Sequence, residues 1–122
     1  MSNEQIVKIT RLYTGESGIS HFEDIEVELE DNGKIGFLSE IEEATGIIFR
    51  TNSKDYNYDW HNAPRRQYII MQEGQVEVTA SDGEVRIFYP GDVLLVEDTT
   101  GKGHKSRALG NKPRKSIFVT LD

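Results

Sequence analysis

The chain contains no cysteine. Disulfides, thiolate metal ligands and a cysteine nucleophile are therefore excluded, and nothing points to an oxidising compartment. Long apolar runs are missing as well: stretches such as Val93 to Val96 fall far short of a bilayer span. The start, Met-Ser-Asn-Glu-Gln, lacks the basic and then apolar segments of a secretion signal. These absences set the expectation of a soluble, cytoplasmic protein with no membrane partner. Positive charge is in deficit, with 14 Lys and Arg against 21 Asp and Glu, for a formal net charge of -7. Such a surface repels phosphate backbones, so no nucleic-acid partner is expected, although a local basic patch remains compatible with a small anion. A Gly-x-Ser-x-Gly nucleophile elbow is absent, and Gly101-Lys102-Gly103 lacks the spacing of a phosphate-binding loop or a dinucleotide fingerprint.

What is present is strand pattern. The 122 residues suffice for one compact domain with a core. Asp82-Gly83, between Val76–Ala80 and Glu84–Phe88, has the chemistry of a tight hairpin turn, as does Asn32-Gly33 between Ile25–Glu30 and Lys34–Leu38. Val76, Val78 and Ala80 share one strand face; Val85, Ile87 and Tyr89, and then Ile117, Val119 and Leu121, repeat the alternation. Val93 to Val96 is continuously apolar, which suits a strand covered on both faces. Helical signal is confined to Leu38–Ala44, where Ser39 could cap one short turn ended by Gly46. Asn52 to Asn57 reads as a loop. Many short strands and polar turns predict an all-β sandwich or small barrel.

The chemistry-bearing residues concentrate in one stretch. If the chain is extended from Asp59 to Met71, one face carries Asp59, His61, Ala63, Arg65, Gln67, Ile69 and Met71. The polar side chains come first and the apolar ones follow, as in a strand with a wet mouth and a dry floor. Pro64 favours a bulge or edge there, so either Arg65 or Arg66 is the one that points inward. Guanidinium groups bind carboxylate or phosphate bidentately, and a rim position is the alternative for each of them. Trp60 and Tyr68, out of phase with this face, are expected on the exterior. His21, on an N-terminal strand, is a further pocket candidate, with a plain strand histidine as the alternative. Lys102, His104, Lys105 and Arg107 form a short basic run.

These residues resemble the two motifs of the cupin superfamily. His61 stands at the first histidine position and Gly74 at the closing glycine, while Ala63 replaces the second histidine and Gln67 the glutamate. Pro90-Gly91-Asp92 followed by His104 matches the second motif. The resemblance covers roughly residues 56 to 120 directly. It implies a double-stranded β-helix, a jelly-roll-like barrel with an internal pocket, that makes up one domain over residues 1–122. Residues 1–55 would supply N-terminal strands and a loop, and residues 56–122 the two motifs; a homodimer is expected.

In metal-bearing relatives three histidines and a glutamate hold the ion. Here His61, Gln67 and His104 are the metal candidates, for one divalent ion (iron, manganese, nickel or zinc), with a metal-free pocket as the alternative. Gln67 offers a neutral oxygen and Ala63 offers nothing, so affinity should be weak. Asp59 could supply a carboxylate by parity. The expected function is the binding of a small, anionic molecule inside the barrel by Arg65, Arg66, Gln67, Asp59 and His21. The alternative is a metal-dependent enzyme (dioxygenase, isomerase or lyase) acting on a small carboxylate, with His61 and His104 as catalytic candidates.

Overall fold

The computed structural model describes residues 5–122; Met1 to Glu4, most of the stretch read for a secretion signal, lie outside them. The described residues form twelve strands: β1 (Ile6–Thr14), β2 (Ser20–Glu28), β3 (Glu30–Asp31), β4 (Phe37–Leu38), β5 (Gly46–Asn52), β6 (Asn57–His61), β7 (Gln67–Glu73), β8 (Gln75–Ala80), β9 (Val85–Phe88), β10 (Val93–Glu97), β11 (His104–Leu109) and β12 (Arg114–Thr120). One sheet has the order β2-β1-β10-β7-β12-β5 and the other β6-β11-β8-β9. The strands from β5 to β12 thus divide four and four between two facing groups, β5, β7, β10 and β12 against β6, β8, β9 and β11, which is the strand order of a jelly roll. The β1–β2 hairpin extends one sheet, with β1 running parallel to β10. The all-β, jelly-roll expectation therefore describes the chain.

The Asp82-Gly83 hairpin forms as expected, joining β8 to β9 with Gly83 at φ 97°. Asn32-Gly33 turns a much smaller hairpin, β3 with β4, because Ile25 to Glu28 is taken up by pairing with β1. Leu38–Ala44 is not a helical turn. Residues 39–45 are irregular, and Gly46 opens β5 instead of ending a helix. Ser39 to Glu42 border the same shallow hollow on the large sheet as Tyr68 and Leu95. Burial, with Glu42 alongside, pushes the Tyr68 hydroxyl up to about 12.

Inside, Val76, Val78 and Ala80 point to the core as the alternation predicts. Two other parity readings are reversed. On β9 it is Phe88 that is buried, beside Val76, while Val85, Ile87 and Tyr89 stand outside. On β12 the inward residues are Arg114, Ser116, Phe118 and Thr120. For β12 the reason is the outer face of the large sheet, which is itself apolar. Register sets Phe49, Ile117, Ile70 and Val93 in one row across it, and Ile47, Val119, Tyr68 and Leu95 in the next. Hydrophobicity alone cannot tell two apolar faces apart. Val93 to Val96 does lie mid-sheet, with Leu94 and Val96 in the core and Leu95 buried on the other face.

The interior is filled unevenly. Leu12, Phe22, Met71, Ala80 and Phe88 close one part of it, with the Phe22 and Phe88 rings 6.2 Å apart. The remainder is a cavity. Among the described residues no helix is long and apolar enough to cross a membrane.

Candidate functional site

The cavity has a volume of about 300 Å³ and lies between the two sheets, at the lower end of small-molecule pockets. Its apolar wall comes from alternate residues of several strands, among them Ile69, Val76, Val78, Leu94 and Phe118. Into it also project His61, Gln67 and His104, the three residues that the motif resemblance put together.

The run from Asp59 to Met71 is not one strand. β6 belongs to the four-stranded sheet and β7 to the six-stranded one, so residues 62–66 form a corner at Pro64. Past the corner the parity reading holds: Ala63, Gln67, Ile69 and Met71 are all buried. Before it the reading breaks. His61 pairs with His104 and Tyr58 with Ser106, so β6 spends one residue more than β11 over this stretch. This bulge turns Tyr58 as well as His61 toward the cavity and leaves Asp59 exposed outside it. The Asp59 side chain is therefore not placed to supply a carboxylate to the cavity; its main-chain oxygen contacts His61 Nδ1 at 2.7 Å.

Each histidine is held from behind. A carbonyl can only accept, so His61 Nδ1 carries the proton and the neutral ring offers Nε2 as an acceptor. Burial is the main cause that holds His61 below the usual histidine range, and the nearby His104 adds to it. Tyr58 stacks on the His61 ring at 3.7 Å between centroids. His104 Nδ1 lies 2.5 Å from Asp98 Oδ2, and Asp98 is fully buried. With Nδ1–H donated to that carboxylate, His104 leaves Nε2 for the cavity, an acceptor in the neutral form of the ring. The two rings are 4.4 Å apart. Gly103 makes this approach possible. Its φ is 72°, and a Cβ there would lie 2.1 Å from the His61 carbonyl oxygen. Gln67 is 3% exposed, and its Oε1 has no hydrogen-bond partner among the described residues.

The arginines sort into two sets. Arg11, Arg66, Arg86 and Arg107 each pair with a carboxylate outside the cavity. Arg65, Arg50 and Arg114 line the cavity, and none of them forms a salt bridge among the described residues. Arg114 is the extreme case. It is 3% exposed and its Nε has no partner. Burial, with Arg50 nearby, pushes its guanidinium down to about 10; the Tyr56 hydroxyl opposes this in part, and no carboxylate does. Tyr56 lies beside both Arg50 and Arg114, and its hydroxyl is 2.8 Å from Ser106 Oγ.

Of the two arginines flanking the corner, Arg65 thus faces the cavity, while Arg66 turns to Glu97 at 2.7 Å. His21 does not line the cavity; its Nδ1 contacts Asp82 Oδ2 at 3.0 Å on the other side of β2. The basic run disperses too: His104 goes inward, Lys105 sits over Trp60 outside, and Arg107 pairs with Glu77. Arg50 and Arg114 escape a sequence reading because a lone arginine in an apolar strand looks like a solvated residue. The only available signal was parity with the buried Phe118.

Among the described residues no three His, Cys, Asp or Glu side chains converge as a metal site. His61, His104 and the unpartnered Gln67 oxygen make a neutral two-nitrogen, one-oxygen set, which fits a divalent ion weakly.

No protein-family model matches the chain, and no curated protein sequence matches it. Among solved structures it is similar to protein NMB1881 from Neisseria meningitidis, at 18% identity and a TM-score of 0.48, over 62% of this chain and 72% of that one. It is also similar to a putative ethanolamine utilization protein, EutQ, from Salmonella typhimurium LT2, at 12% identity and a TM-score of 0.43, over 95% of this chain and 96% of that one. The cupin-like assignment of the fold rests on strand order.

Proposed function

We propose that the chain is a cupin-like binding protein that takes a small organic anion into the cavity between its sheets. One observation carries the reading. In a chain with a net charge of -7, the arginines outside the cavity have carboxylate partners, and those lining it have none among the described residues. A buried guanidinium without a counter-ion is costly, and a ligand carboxylate supplies the missing partner with matched, two-pronged geometry. The apolar wall then takes the ligand's hydrocarbon part. The direct test compares hexanoate with hexanamide, which has the same shape but no charge, by isothermal titration calorimetry. Binding of the acid and not of the amide is expected; equal binding, or none across a panel of small carboxylates, overturns the reading.

A second reading has one observation in its favour. His61, His104 and Gln67 present three unused acceptors to the same cavity, and a divalent ion (iron, manganese, nickel or zinc) would be held by those residues. Such an ion would supply Lewis-acid or oxygen chemistry, making the chain a metal-dependent enzyme acting on a small carboxylate. Elemental analysis of untagged protein and of the His61→Ala/His104→Ala variant decides it. Near-stoichiometric metal that the variant loses supports it, and metal-free protein after reconstitution removes it.

The homodimer belongs to this account as well. The rows of apolar residues on the outer face of the large sheet, with Phe49 75% exposed, would be covered by the same face of a second copy, in a self-complementary contact.

A further inference from the structure

The cavity's polar groups differ between its two ends: uncharged acceptors gather at the Gln67 end, with Arg65 beside them, and Arg114 stands at the other. Arg114 opens β12 and Thr120 closes it, and Thr120 is the register partner of Gln67. Six residues of strand, roughly 20 Å of backbone, therefore separate the attachment points of Arg114 and Gln67. Arg50 pairs in register with Ser116, midway along β12, and its guanidinium lies over both the Tyr56 and Phe118 rings; Tyr56 lies beside both arginines. The Arg114 end offers positive charge, and the hydroxyls of Tyr56 and Ser106, to a ligand's carboxylate. At the other end are His61 Nε2, His104 Nε2 and the buried, unpartnered Gln67 Oε1. In the neutral rings all three are acceptors. Apolar side chains such as Ile69 and Phe118 line the rest.

From this polarity, and resting on the anion-binding reading above, we propose that the ligand is a hydroxy acid. Its carboxylate lies against Arg114 and Arg50, its chain along the apolar wall, and its hydroxyl, remote from the carboxylate, donates to the acceptors of His61, His104 and Gln67. Charge selects a hydroxyl over an ammonium. Arg65, two residues before Gln67, lines the same end without a carboxylate partner, and it repels a second cation. A buried acceptor left unpaired is costly, so the acid lacking the hydroxyl is discriminated against. Sites built around a buried hydrogen bond discriminate in this way.

The test is calorimetric titration of the butanoate-to-octanoate series and of its ω-hydroxy and ω-amino counterparts into the wild-type chain and into Gln67→Leu and His61→Phe. At the best chain length the hydroxy acid should bind about tenfold or more tighter than the plain acid, with the amino acid weaker than the hydroxy acid. Either substitution should bring hydroxy and plain acids to within about twofold of each other in that variant. Thermal melts identify a variant that has failed to fold, and the other variant then carries the comparison. Equal wild-type affinity for plain and hydroxy acids overturns the hydroxyl site alone and leaves anion binding standing. Tightest binding of the amino acid overturns the charge argument and assigns that end to a cation. Failure of every carboxylate to bind overturns the anion reading and this one with it.

Discussion

Arg114 is where stability and function part company. A structural arginine is satisfied by its neighbours; this one is 3% exposed with an unpartnered Nε. Replacing a buried, unpaired charge with an apolar side chain of similar length removes a desolvation cost. Arg114→Met should therefore be neutral or stabilising by up to about 2 kcal/mol, measured as the midpoint of urea unfolding. A loss of several kcal/mol would instead make Arg114 a structural residue. The residue scale is also where sequence reading succeeded and failed most visibly. His61, Gln67 and His104 were legible because motif spacing is independent of local parity, and the structure brings them to one cavity. Asp59 was misread by parity, since the bulge beside His61 shifts every residue before it. Arg114 and Arg50 were invisible because their meaning lies in the absence of a partner, which only the fold reveals.

At the scale of elements, Glu97 at the end of β10 is the joint that matters. It accepts from Arg11 on β1 at 2.5 Å and from Arg66 in the β6–β7 corner at 2.7 Å. It therefore pins the added hairpin and the corner to the same strand, and it keeps Arg66 away from the cavity. Burial alone would raise its carboxyl; the hydrogen bonds and charges of Arg11 and Arg66 outweigh this and hold it below the ordinary glutamate range. A carboxyl depressed in the folded state binds fewer protons there than in the unfolded chain. Its stabilisation is thus complete above the unfolded value, near 4.5, and is lost as pH falls through the folded value. Because both arginines are about a third or more exposed, the clamp is worth about 1 kcal/mol. Glu97→Gln should lower stability by about that amount at neutral pH and flatten its acid dependence, as read from unfolding midpoints between neutral pH and pH ~3. An unchanged acid limb would show that the clamp contributes nothing. The elements themselves were legible where a turn dipeptide or one-sided alternation marked them, as at Asp82-Gly83 and Val76–Ala80. They were illegible where both faces are apolar, as on β12, or where a strand changes sheet, as at Pro64.

The whole molecule presents two surfaces for two kinds of contact. The inner one is divided between packed core and cavity; the outer face of the six-stranded sheet carries continuous apolar rows from Phe49 and Ile47 to Val93 and Leu95. Such a patch on an otherwise acidic chain is the face that the proposed homodimer would bury. Sedimentation equilibrium should return twice the 13.9 kDa mass of the chain, and Phe49→Lys with Ile117→Lys should return the monomer with the cavity still able to bind. A wild-type monomer at high micromolar concentration would leave this face to another partner.

The central claim is that the unpaired arginines of the cavity, and not basic surface in general, hold an anion. Its most direct measurement is the calorimetric titration of hexanoate into the wild-type chain, Arg114→Met and Arg66→Met. Both variants lose one positive charge, but only Arg114 lines the cavity. Arg114→Met should lose at least about tenfold in affinity, in line with the worth of a charge-assisted hydrogen bond, while Arg66→Met should stay within about twofold of wild type. Equal losses in the two variants, or undiminished binding in Arg114→Met, would contradict the claim.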